Sequence, residues 1–211
     1  MAAAICALRG EKRMSARRRR GVTLIELLVV IAIAAILLAI GVPSFSTFID
    51  RNRVAGEVNE MLADLALTRS EALARRGRVI MCRSADPVAA HAACDGANTD
   101  WSSGWIVFVD NVGGATPFQR DPADPVEAVI RAYVRTSPQV DIRASAAVAG
   151  LSVTADGTVW LLNGDPLSSL APSQAEPLRF DFAGAENANR RSLCLATSGR
   201  ARTSSSFGAC T

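Results

Sequence analysis

One segment constrains this chain more than any other. Residues 22 to 42, VTLIELLVVIAIAAILLAIGV, are 21 consecutive positions with a single charge, Glu26, and four arginines (Arg17, Arg18, Arg19, Arg20) and Gly21 stand immediately before them. As a helix rising about 1.5 Å per residue, the run extends roughly 31 Å, enough to cross the hydrocarbon core of a bilayer. A secretory signal has a shorter apolar region of about 7 to 15 residues and ends at a small-residue cleavage site, which IGVPSF does not resemble. The arginine cluster before the span, against the mixed Asp50, Arg51 and Arg53 after it, puts the N-terminus in the cytoplasm and everything beyond Pro43 on the far side. With one such run, 49% hydrophobic residues and 20% charged, the composition excludes a disordered, collagen-like or polytopic membrane protein.

Glu26 needs a partner, because a carboxylate inside an apolar span costs several kcal/mol unless it is paired or near the interface. A cut between Gly21 and Val22 would create an α-amino group four residues away, one helical turn from Glu26, where the helix dipole also favours a negative charge. RRRRGVTLIELLVVIAIAAILLAIGVPSF closely resembles the class III signal of type IV pilins and type II secretion pseudopilins. The resemblance implies cleavage by a prepilin peptidase after Gly21, methylation of the new terminus at Val22, and pairing of Glu26 with the amine of an adjacent subunit during assembly. Val22 departs from the Phe usual there, and the leader of 21 residues is long. A start at Met14 would shorten it to MSARRRRG. The implied location is the bacterial inner membrane, crossed once with the C-terminal domain in the periplasm, and then a pilus or pseudopilus.

Beyond the span, Gly41 and Pro43 are expected to interrupt or bend the helix. Val54, Val58, Met61, Leu62, Leu65, Ala72 and Leu73 then fall on one helical face, while Arg53, Glu57, Glu60, Asp64, Glu71 and Arg75 cluster on the other. Arg69 intrudes on the apolar face and reads as a snorkelling stem; Gly77 reads as the helix stop. Short runs bounded by Gly, Pro, Asp and Asn follow: 78–82, 105–109, 128–134, 151–153, 158–162, 178–182 and 192–196. The intervening 83–104, 110–127 and 163–177 read as loops. A long helix followed by strands predicts an α+β fold, the helix packed on an antiparallel β-sheet domain. The expected divisions are 1–21 leader, 22–42 membrane or filament-core helix, 43–77 amphipathic stalk helix and 78–211 β-rich domain.

NEMLADLALTRSEALARRGRVIMC and CDGANTDWSSGWIVFVD resemble the GspH/FimT pseudopilin family, which implies a minor pilin taking part in pilus assembly, with a type II secretion pseudopilin as the alternative. Other pilins or pseudopilins are the implied partners. Aromatic residues make up only 5% of the chain, so Trp101 and Trp105 are read as core anchors.

Losing the leader, or starting at Met14, removes Cys6 and leaves Cys82, Cys94, Cys194 and Cys210 for an oxidising compartment. Of three connectivities the local pairs, Cys82 with Cys94 and Cys194 with Cys210, close short loops and are expected. His91 is the only histidine, and without CxxC spacing it argues against zinc; with no G-x-S-x-G and no phosphate-binding glycine loop, neither an enzyme nor a cofactor is expected. Asp121 and Asp124, beside prolines, read as solvated turns.

From Asn187 onward there are four arginines, Arg190, Arg191, Arg200 and Arg202, and no acid. On an extended strand Arg200 and Arg202 share a face about 6.6 Å apart, which suits successive phosphates of a nucleic acid or, equally, a solvated face. Gly199 would allow close approach, and Thr203, Ser204, Ser205 and Ser206 would offer hydroxyls. Gly199-Arg200-Ala201-Arg202 also matches the GRxR motif of FimT-like minor pilins, implying binding of double-stranded DNA for uptake in natural transformation. Any such affinity must be local: residues 1 to 21 hold seven bases and one acid, leaving 16 bases against 19 acids in the remainder.

Overall fold

The computed structural model describes residues 21–114, 118–162, 169–170, 178–185, 189–196, 198–204 and 207–210. It divides into two units, Met1–Pro43 and Ser44–Thr211. Ser205 and Ser206 lie outside the described residues.

Helix α1 runs from Leu24 to Arg75, 52 residues. Helical backbone continues through Gly41 and Pro43, so the interruption expected there does not occur. Proline forfeits one N–H, and the hydrogen-bond ladder resumes around it. The start is a T-x-x-E capping sequence: Thr23 Oγ1 accepts from the Glu26 amide at 3.3 Å and the Thr23 carbonyl from the Leu27 amide at 3.1 Å. At the other end the Arg76 amide bonds the Leu73 carbonyl and the Gly77 amide the Ala72 carbonyl, a Schellman closure. The left-handed residue there is Arg76 (φ 51°), one position before the glycine expected to supply it.

Eleven strands are present among the described residues: β1 Arg78–Arg83, β2 Asn98–Asp100, β3 Trp105–Asp110, β4 Val129–Tyr133, β5 Asp141–Val148, β6 Gly150–Val153, β7 Val159–Leu162, β8 Ser169–Leu170, β9 Leu178–Ala183, β10 Arg190–Leu195 and β11 Ala201–Ser204. They form two antiparallel sheets rather than one, ordered β4-β3-β1-β6-β7-β8 (sheet A) and β11-β10-β9-β5-β2 (sheet B). α1 packs on both. Four strands fall outside the seven expected runs, one of them β11, which carries Arg202. β5, DIRASAAV, is too polar and alanine-rich for a hydrophobic count, yet it alternates Ile142 and Ala144 inward with exposed Asp141 and Arg143. β2 and β8 are short edge strands inside expected loops.

The core lies between α1 and the facing sides of both sheets. Val54, Val58, Met61, Leu65 and Ala72 meet Val79, Met81, Val107 and Leu151 from sheet A and Ile142, Phe180, Phe182, Leu193 and Leu195 from sheet B. Trp101 packs edge-on to Phe180 at 5.0 Å, and Trp105 stacks on Tyr133 at 4.4 Å. Leu73 of the expected apolar face is 46% exposed. On the opposite helical face Glu57 and Asp64 are buried, against expectation, because each satisfies donors on the β-domain. Glu57 accepts from Tyr133 Oη (2.8 Å), the Thr136 amide and hydroxyl and the Ser137 amide; Asp64 accepts from Trp105 Nε1 (2.8 Å). Burial is the main reason the Asp64 carboxyl is held above the usual range, partly offset by the Trp105 hydrogen bond and by Arg131.

Candidate assembly and nucleic-acid interfaces

The first candidate site lies in the N-terminal unit. Gly21 and Val22 precede the helix, and Glu26 stands at the third helical position, its amide held by the Thr23 hydroxyl. Every residue from Val22 to Val42 is exposed within the chain, Leu24 at 76% and Ile40 at 70%. An apolar surface of this extent in contact with water would be strongly unfavourable, so lipid or other helices must cover it. Glu26 is the one charge in that surface.

The second candidate site is the outward face of sheet B. Ladder register decides which side chains point there. Leu178 and Ala201 both pair with Leu195, and all three face the core. Alternation therefore turns Arg202 outward, in one row with Cys194 and Arg179, and Arg143, Asp181, Ser192 and Ser204 share the next row. Arg200 and Arg202 are exposed and lie at the free edge of the sheet. Arg190 is outward as well, its guanidinium 4.5 Å from the centroid of Phe207. Arg191 pairs with Phe182 and so falls on the opposite side of the sheet from Arg190; the two neighbours cannot serve one surface. Thr203 likewise pairs with the buried Leu193.

Two outward cations escaped the sequence reading, Arg179 and Arg143. The alternation of LRFDF, with Phe180 and Phe182 inward, was the available signal for Arg179. Its charge is partly met by Asp181, which accepts from Arg179 Nε at 2.9 Å and from the Ser192 hydroxyl at 2.5 Å. The acids of this face, Asp181, Asp141 and Asp100, sit toward β5 and β2, so the basic part is the β10–β11 side.

The structure forms both disulfides, Cys82–Cys94 and Cys194–Cys210. The second ties the C-terminal segment across the outward face beside Arg202, where the Gly208 amide also donates to Ser192 Oγ at 3.2 Å. The first consumes both cysteines near His91, leaving no thiolate for a metal there. No cluster of three or more His, Cys, Asp or Glu fit for a metal occurs among the described residues.

Gly199 has a structural duty that the sequence does not disclose. It turns the chain between β10 and β11 at φ 73°, its amide donating to the Ala196 carbonyl while the Ala196 amide donates to the Arg200 carbonyl. A Cβ there would meet the Gly157 carbonyl oxygen at 3.0 Å, Val159 Cγ2 at 3.1 Å and Arg69 Nη1 at 3.3 Å. Its close approach is thus to the β6–β7 turn and β7, and then to the protein's own helix.

These two surfaces, an uncovered apolar helix and a sheet domain, coincide with two matched segments. Residues 16–42 match the prokaryotic N-terminal methylation motif, and residues 57–203 match the family described as type II transport protein GspH. The chain belongs to the GspH family, a family of structural pilins. No curated protein sequence matches it. Two crystal forms of the type IV minor pilin FimU from Pseudomonas aeruginosa strain PAO1 are similar in structure. The first has 19% identity, TM-score 0.49 and coverage of 74% of this chain and 92% of that one. The second has 19% identity, TM-score 0.44 and coverage of 72% and 90%.

Proposed function

We propose that this chain is a minor type IV pilin, processed between Gly21 and Val22 and held in the inner membrane with its β-domain in the periplasm until it enters a pilus. The observation that carries this reading is the apolar run 22–42, exposed throughout and interrupted by a carboxylate one helical turn from Val22. In a filament the run packs among neighbouring helices, and Glu26 pairs with the Val22 amine of an adjacent subunit. Co-expression with a prepilin peptidase tests the first step by mass spectrometry. Wild-type chain should lose residues 1 to 21 and Gly21→Val should not. Glu26→Leu should be cut normally yet fail to enter filaments; normal incorporation would remove Glu26 from assembly.

The same subunit is proposed to hold double-stranded DNA on the β10–β11 side of sheet B. Arg200 and Arg202 contact phosphates, with Arg190 beside them; Arg191 drops out of the surface. Full-length chain in detergent should bind duplex DNA with a log-log salt slope of about −2 if these two contacts dominate. Arg200→Ala/Arg202→Ala should abolish the binding, and unchanged affinity would refute the site. The description of the matched family as a type II transport protein favours a second reading, a pseudopilin of a secretion system. Deleting the gene separates them: loss of surface pili and DNA uptake supports the pilin, loss of protein secretion the pseudopilin.

A further inference from the structure

The apolar face of α1 contains one cation that the core does not need. Arg69 lies between Leu65 and Ala72, one helical turn from each, both of them buried. It is itself half-buried, and no hydrogen bond or ion pair to it occurs among the described residues. The stem lies along the apolar face, and the head ends against backbone.

It ends between two turns. A Cβ on Gly157, in the β6–β7 turn, would lie 3.3 Å from both Arg69 Nε and Arg69 Nη2, and one on Gly199, in the β10–β11 turn, 3.3 Å from Nη1. Both glycines have positive φ, 81° and 73°. The two turns belong to different sheets, and the missing side chains leave a slot that the planar head occupies. Asp156, the nearest acid in sequence on the first turn, is committed to Thr154 and Thr158, whose hydroxyls and the Thr158 amide hold its carboxyl down at about 2.

We propose that Arg69 is a positioning residue for the arginine strand: its guanidinium, wedged between Gly157 and Gly199, fixes the β10–β11 turn from the helix side and thereby aims Arg200 and Arg202. This rests on the DNA reading above. Arg200 follows Gly199 directly, so any rotation of the turn swings its side chain, and Ala201 is too small to hold the strand by packing alone. Gly199 and Ala201 share the inward side, so Arg69 supports the strand from beneath while the two arginines project from the other side. An arginine fits this role better than a lysine because its head is flat and weakly hydrated.

The test is duplex DNA binding by full-length chain in detergent, with salt titration. Arg69→Ala should weaken binding roughly fivefold or more, the scale of coupling between touching residues, and leave the salt slope unchanged because no phosphate contact is lost. Arg69→Lys, which keeps the charge but not the planar head, should behave like Arg69→Ala. Three results would overturn the inference with the DNA reading intact: wild-type affinity in Arg69→Ala, a salt slope reduced by about one, which would make Arg69 a phosphate contact, or full rescue by lysine. Absence of wild-type binding would overturn the DNA reading itself, and this inference with it.

Discussion

The two sheets share a core and a helix but treat their outer faces differently. In sheet A, Ile80, Cys82, Ile106, Phe108 and Leu162 face outward and are buried nonetheless, under Ala92, Phe118 and the loop closed by Cys82–Cys94. In sheet B the outward face carries Arg143, Arg179, Arg190 and Arg202 with a few acids and hydroxyls, and among the described residues it is the C-terminal segment that crosses it. One sheet is therefore closed on both sides and the other presents a charged face to whatever lies outside the molecule. The helix reflects the same division. It grips sheet A through buried carboxylates, Glu57 to Tyr133 and Asp64 to Trp105. It meets the sheet B side through Asp50 and Arg51, both hydrogen-bonded to Asn189, and through Arg69 beneath Gly199.

The sharpest test of this contrast uses neighbours on one strand. Phe180 points into the core and is fully buried, whereas Arg179 points out. Phe180→Ala should destabilise the full chain by about 3–5 kcal/mol, because it removes a large ring and the Trp101 contact. Arg179→Ala should cost under about 1 kcal/mol, as expected for a partly exposed ion pair. Denaturant unfolding in detergent measures both; comparable losses would mean that the outer face of sheet B is structural after all.

The bridges come next. Cys82–Cys94 and Cys194–Cys210 span 12 and 16 residues, so chain entropy alone assigns each about 3 kcal/mol. Replacing Cys82 and Cys94 with Ser should cost more, because it also loosens the cover over Ile80, Ile106 and Phe108. Replacing Cys194 and Cys210 frees only a segment lying on polar groups. Equal losses by thermal unfolding would argue that the C-terminal segment is as much a part of the fold as the sheet A loop.

Much of this architecture is legible in the sequence. Apolar runs marked the strands whose side chains are mostly buried, such as RVIMC and WIVFV, and the 3.6-residue period marked the helix face. β5 was not readable, because Ala and Ser supply little hydrophobic signal and its burial comes from neighbours in β9 rather than from its own composition. The burial of Glu57 and Asp64 was invisible for a related reason: an acid looks solvated until the donors that meet it, Tyr133, Thr136, Ser137 and Trp105, are brought from distant sequence. At the candidate DNA surface the pattern G-R-A-R was legible, but its partition was not. Only strand register separates Arg190 from Arg191, and only the packed turn shows that Gly199 makes room for Arg69.

The smallest expected effect concerns the helix contact to sheet A. Asp64 is raised by burial, so its folded carboxyl holds a proton to higher pH than the unfolded one does. Between the usual aspartate value and that raised value the folded state binds more protons, and stability contributed by this group falls as pH rises. Asp64→Asn keeps an acceptor for Trp105 Nε1 and cannot ionise. Relative to wild type, the variant should therefore gain stability as pH climbs through that window, and the difference should flatten below the unfolded carboxylate range. Arg131, whose Nε lies 3.4 Å from Asp64, works against this gain by favouring the charged form. A variant whose relative stability instead falls with rising pH would show that the Arg131 pairing outweighs burial, and that α1 grips sheet A by charge rather than by buried hydrogen bonds.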